Sequence, residues 1–147
     1  MVEKKIGMLN LRGKDIRIEC RDGREILLWG YRPGCVINSV AVSADGSSVV
    51  IGDDRNKVYF FNRKGKLLWG YAVGGGVKVV SVSSDGSYVA VAAGKNVYLF
   101  NREGDLLWYY NKGGWRTQVS SISLSSDGSY IAAGCSDKKV IFFNRDG

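Results

Sequence analysis

One pattern constrains this chain more than any other: three marks recur in fixed order at intervals of about 40 residues. Asp45-Gly46, Asp85-Gly86 and Asp127-Gly128 each follow a serine-rich run. Phe61-Asn62-Arg63, Phe100-Asn101-Arg102 and Phe143-Asn144-Arg145 each close a later one. Trp29, Trp69 and Trp108 each follow Leu-Leu. The stretch from Val80 to Trp108 is the cleanest copy. The intervening residues favour strands: Val80, Val82, Tyr88, Val89, Val91, Val97, Tyr98 and Phe100 are β-branched or aromatic. Val80-Ser81-Val82-Ser83 and Ile122-Ser123-Leu124-Ser125 alternate as strands with two unlike faces do. Asp-Gly and Arg-x-Gly supply the positive φ that hairpin turns need. No window shows helical periodicity.

In the cleanest unit we expect four strands, Lys78–Ser83, Tyr88–Ala93, Asn96–Asn101 and Asp105–Tyr110, joined as an antiparallel meander. Such a sheet cannot bury both faces alone and must stack on its neighbours. A repeat near 40 residues with several short strands is the signature of a propeller blade. The expected fold is therefore an all-β β-propeller domain over residues 1–147. Two complete blades, over about 35–74 and 75–114, lie between three-stranded partial blades over about 5–34 and 115–147. In the leading unit, Ile6–Leu11 matches a second strand, Ile16–Gly23 a third and Ile26–Tyr31 a fourth. Such an array could close as a small ring, close with a second copy, or continue in a longer chain. We expect self-association.

The Ser-x-Asp-Gly-Ser-Tyr-Val-Ala run and the strand ending Phe-Asn-Arg resemble the blade of WD-repeat proteins. Ala44, Ser84 and Ser126 stand where that family has proline, Phe-Asn stands for Trp-Asp, and the family's Gly-His pair is absent. The Asn-Arg-x-Gly-x-Leu-Leu-Trp run resembles the docking motif of pyrroloquinoline-quinone-type propellers. The resemblance spans roughly Ile16 to Gly147 and implies the fold rather than an activity, because propellers host many functions. It does not imply the quinone: three copies of a docking motif lack the specific polar contacts of that site, and we expect no cofactor.

Composition prunes the alternatives. The chain has no histidine, so no Ser-His, Cys-His or His-metal constellation can form. Cys20, Cys35 and Cys135 share no C-x-x-C spacing, and free thiols are expected. Calcium would need more oxygen ligands than one Asp per turn supplies. We expect neither an enzyme nor a metal site. No apolar run approaches the ~20 residues of a membrane helix. The opening MVEKKIGMLNLRGKD lacks the apolar core of a signal peptide. A cytoplasmic protein without membrane partners is expected.

The recurring tryptophans read as blade-to-blade packing. Each buries roughly 150–250 Å², a contribution of up to about 4–6 kcal/mol. Asp45, Asp85 and Asp127 read as turn-formers bonding backbone amides.

The net charge of +7 is distributed unevenly. One predicted face, with the first and last hairpin turns of each blade, carries five cations against six carboxylates. The other face holds the middle turns and the crossings between blades. It carries Arg32, Arg55, Lys57, Lys78, Lys95, Lys112, Arg116, Lys138 and Lys139 against Asp53, Asp54 and Asp137. It also holds Trp115, the one tryptophan out of register. An aromatic beside Arg116 suits an interaction hot spot, and equally base stacking beside phosphate contacts. Alternatively Trp115 caps the blade beneath it and the lysines only confer solubility. The candidate partner-binding set is Arg55, Lys57, Lys95, Lys112, Trp115, Arg116, Lys138 and Lys139. The expected function is a scaffold that binds an acidic protein surface or other anion. The alternatives are a nucleic-acid-binding propeller and an architectural piece of a larger quinoprotein-like or sensor propeller.

Overall fold

The computed structural model describes residues 9–11, 14–16, 28–114 and 116–147. The chain divides into two compact units, Met1–Gly34 and Cys35–Gly147. In the first, β1 (Leu9–Leu11) pairs antiparallel with β2 (Lys14–Ile16), Leu9 opposite Ile16. β1 falls inside the second strand expected over Ile6–Leu11. Of the other strands expected in the leading blade, residues 17–27 lie outside the described residues, and 28–31 have no regular structure.

The second unit holds three antiparallel meanders. The first comprises β3 (Ile37–Val42), β4 (Ser48–Asp53), β5 (Lys57–Asn62) and β6 (Leu67–Ala72). The second comprises β7 (Val77–Val82), β8 (Tyr88–Ala93), β9 (Asn96–Asn101) and β10 (Leu106–Asn111). The third has β11 (Val119–Leu124), β12 (Tyr130–Cys135) and β13 (Val140–Asn144). β8 and β9 match the sequence expectation residue for residue; β7 starts one residue earlier than expected and β10 one later.

The core lies between sheets, as stacking requires. Val50, Val58 and Phe60 of the first sheet meet Val77, Val80, Val89, Val91 and Phe100 of the second. Ala90, Ala92, Val97 and Leu99 on the other side of the second sheet meet Val119, Ile122, Ile131 and Ala133 of the third. β8 is thus buried on both faces, Val89 and Val91 toward one neighbour and Ala90 and Ala92 toward the other.

A bulge in each complete blade aims its tryptophan. Leu67 pairs with Phe61, but Trp69 pairs with Phe60, so Leu68 is an extra residue. Leu106 pairs with Phe100 and Trp108 with Leu99, which leaves Leu107 extra. Cross-strand partners share a face. The insertion therefore reverses the alternation and turns the tryptophan toward the following blade. Leu68 and Leu107 are exposed as a result.

A second device joins the blades at their inner turns. The Ala44 amide donates to the Ser84 carbonyl at 2.9 Å, and the Ser84 amide to the Ser126 carbonyl at 2.8 Å. The Ser39 hydroxyl accepts from the Val80 amide, and the Ser81 hydroxyl from the Leu124 amide, each at 3.1 Å.

Candidate anion-binding face

The candidate face is built on the middle turn of each blade, between its second and third strands. In the first blade that turn is organised by Asp53. Its side chain is fully buried and accepts the amides of Arg55 (2.9 Å) and Lys57 (2.8 Å), the Tyr59 hydroxyl (3.3 Å) and the Cys35 thiol (3.1 Å). Burial pushes this carboxyl up, but the four donors outweigh it and hold it below the usual range. The same carboxylate, with burial, raises the Cys35 thiol. Bonding both amides fixes the turn that displays Arg55 and Lys57, and both cations are exposed. The other blades place Ala93 and Cys135 at this position. The second blade turns through Gly94-Lys95, where Gly94 has φ +58°, and the third through Ser136–Lys139, where Lys138 has φ +68°. Lys95, Lys138 and Lys139 are exposed.

The crossings between blades are tied to these turns. The Val73 amide donates to Asn56 O (2.8 Å), Asn96 Nδ2 to Gly74 O (2.8 Å), and the Gly74 amide to the Tyr98 hydroxyl (2.8 Å). One blade later, the Lys112 amide donates to Lys95 O (3.1 Å) and the Val119 amide to Gly94 O (2.8 Å). The Ser136 amide donates to Gln118 O, and Ser136 Oγ accepts the Gln118 amide, both at 2.9 Å. Turns and crossings therefore form one stitched rim, as the charge assignment requires.

Three members of the candidate set stand apart. Lys112 is largely buried and its Nζ lies 3.0 Å from Asp137. That contact raises the lysine pKa and lowers the carboxyl. Arg116 is exposed, and Trp115 lies outside the described residues. The structure thus gathers Arg55, Lys57, Lys95, Lys138 and Lys139 as exposed side chains on the rim, with Lys112 held by a carboxylate. Sequence reasoning missed the Lys112–Asp137 pair, because blade stacking alone brings those loops together.

The opposite end is nearly neutral and locally satisfied. In each blade an Asp accepts a serine hydroxyl from two residues before and an amide from two residues after. Asp45 bonds Ser43 Oγ (2.8 Å) and Ser47 N (2.9 Å), and Asp85 and Asp127 repeat the pattern. These bonds hold Asp45 and Asp127 down at about 2, and Asp85 below the usual range. Between the second and third blades this end has an open groove of about 610 Å³ lined by Tyr88, Arg102, Trp108 and Arg145. The Arg145 guanidinium lies over the Tyr88 ring at 4.9 Å and donates to its hydroxyl at 3.1 Å. The tryptophans reach the same end: Trp69 Nε1 donates to Arg102 O at 2.9 Å and Trp108 Nε1 to Arg145 O at 2.6 Å.

Stacked four-stranded meanders, docked by a tryptophan from each outer strand, define an all-β repeat protein of the β-propeller class. The family model described as outer membrane protein assembly factor BamB, a PQQ-type repeat model, matches residues 17–147. The chain belongs to this PQQ-type repeat family. Among solved structures it is similar to hydrazine synthase of Kuenenia stuttgartiensis, with 22% identity and a TM-score of 0.62. That match covers 78% of this chain and 36% of the other, so the chain spans about a third of that protein's length. No curated protein is matched.

Proposed function

We propose that this chain is a non-enzymatic propeller module that binds an acidic protein surface or other anionic partner. Binding uses the rim that carries Arg55, Lys57, Lys95, Lys138 and Lys139. The observation that carries this reading is the stitched rim itself. Its turns hold exposed cations in every described blade, while Asp53 is buried among its own donors and Asp137 is occupied by Lys112. The remaining positive field faces outward and would steer an anionic partner. The family description names an assembly factor, and a scaffold reading of this chain accords with it. We also read the Ser-x-Asp-Gly-Ser turns as a WD-like element carried on PQQ-type blades.

The test is retention on polyglutamate and heparin supports. Neutralising Arg55, Lys57, Lys95, Lys138 and Lys139 to Gln should abolish retention at physiological salt. Neutralising Arg63, Lys64, Lys66, Arg102 and Arg145 removes the same charge from the other end and should leave most of it. Equal losses would mean that net charge, not this face, binds. A nucleic-acid partner is the second reading, because the cations recur blade by blade along the rim. It requires single-stranded DNA to be retained over polyglutamate, with an affinity that falls steeply with salt.

A further inference from the structure

The blade-to-blade contact occurs twice within the second unit, so each of its parts can be traced to the first and third sheets of that unit. Val80 and Val82 of the second blade, and Ile122 and Leu124 of the third, face the blade before them. Val40 and Val42 hold the same positions in the first blade. Val80 is 4% exposed and Ile122 and Leu124 are 9%, but Val40 is 66% and Val42 61% exposed. The opposite face behaves likewise. Val97 and Leu99 are fully buried against the third blade, whereas their counterparts Val140 and Phe142 are 77% and 67% exposed. Tyr130, the counterpart of Tyr88, is exposed and stacks on Phe142 at 5.5 Å.

These two exposed faces of the second unit are complementary in apolar surface and in hydrogen bonding. The Ala44–Ser84–Ser126 series runs from each amide to the next blade's carbonyl. Ser126 N–H on one open face is the next donor, and Ala44 O on the other is the next acceptor. The hydroxyls that receive amides of the following blade, Ser39 and Ser81, have counterparts in Ser121 and Ser123 on the third sheet. Both are exposed. They match the Val40 and Val42 amides, the counterparts of the Val80 and Leu124 donors.

We propose that a second copy of this chain docks head to tail on the third sheet, its Val40–Val42 face covering Tyr130, Val140 and Phe142. The second copy is favoured as occupant because its first sheet presents the apolar residues, the Ala44 carbonyl and the amides that an internal blade presents at the same contact. Such an interface is heterologous, joining two different surfaces rather than one surface to itself. It is independent of the basic rim, so the anion-binding reading and this one fail separately.

The experiment is light scattering on the full chain. The expected mass is at least twice the 16.1 kDa of one chain, at high as well as low salt. Val40→Glu spoils one face and Phe142→Glu the other, and each variant alone should be monomeric. Mixing them leaves one intact pair of faces and should restore a one-to-one dimer. A wild-type monomer at the highest attainable concentration would overturn the proposal. So would an unmixable pair, or assembly lost with Phe142→Glu but kept with Val40→Glu, which would mean a face that pairs with itself. All these side chains are exposed, and unchanged circular dichroism establishes that each variant folds. Val42→Ser and Tyr130→Ser give milder versions with the same expected order.

Discussion

The Trp69 indole donates to the Arg102 carbonyl 2.9 Å away, across the seam between two blades, while its ring stacks on Phe60 at 5.2 Å. Trp108 repeats the bond one blade later, to Arg145. One side chain thus packs within its own blade and latches the next. Trp108→Phe keeps a six-membered ring beside Phe143 but removes the donor and the indole's five-membered ring. Chemical denaturation should show a loss of about 1–2 kcal/mol, the net worth of one hydrogen bond plus some packed surface. Trp69→Ala should lose about 3 kcal/mol or more, because the stacked surface goes too.

Gly104 lies directly over the Trp69 ring with φ +92°, and a Cβ there would sit 2.7 Å from the ring's Cγ. Gly104→Ala should destabilise by about 2 kcal/mol or more, combining a left-handed backbone with displacement of the indole. Tryptophan emission should move to longer wavelength as Trp69 is pushed toward water. Unchanged emission and stability would mean that the indole is not held against the loop.

Acid should weaken the blade turns. Asp45, Asp85 and Asp127 have folded pKa values below the ordinary 3.8, at about 2 for Asp45 and Asp127. A lowered folded pKa gives stability that is present above the unfolded value and lost as pH falls through the folded one. The melting temperature should therefore decline from about pH 4 toward pH 2. The triple Asp→Asn variant keeps an acceptor at each turn but cannot titrate. Its pH profile over that window should be flatter.

Lys112 and Lys95 lie on the same rim but should not behave alike. Lys112 is occupied by Asp137 at 3.0 Å, and Lys95 is exposed at a hairpin tip. Lys95→Gln should reduce polyanion retention, whereas Lys112→Met combined with Asp137→Asn, which removes the ion pair at unchanged net charge, should change it little. Calorimetric titration of the two variants with polyglutamate measures the contrast directly.

What could be read from the sequence followed distance along the chain. Tyr88–Ala93 and Asn96–Asn101 were legible because their side chains are β-branched, aromatic or small between unambiguous turns. The Asp45, Asp85 and Asp127 turns were legible because their bonds span only two residues. The bulges at Leu68 and Leu107 were not: Leu-Leu-Trp gives no sign of which leucine is extra until a partner strand fixes the register. The Trp69–Arg102 latch and the Lys112–Asp137 pair were hidden for a related reason, since each joins blades that only stacking brings together. The basic rim was legible as charge in loops. That Asp53 is the buried organiser of its first turn was not, because a carboxylate before a turn reads as one more solvated residue.

The Ala44–Ser84–Ser126 joint consists of main-chain atoms alone. Every residue carries the acceptor carbonyl, and every residue except proline carries the donor amide, so the change from Ala44 to Ser84 leaves the joint intact. A duplicated blade would thus arrive with its connection already in place, at either side of an existing one. Sequence drift can then recolour the rim, blade by blade, without renegotiating how the blades are joined.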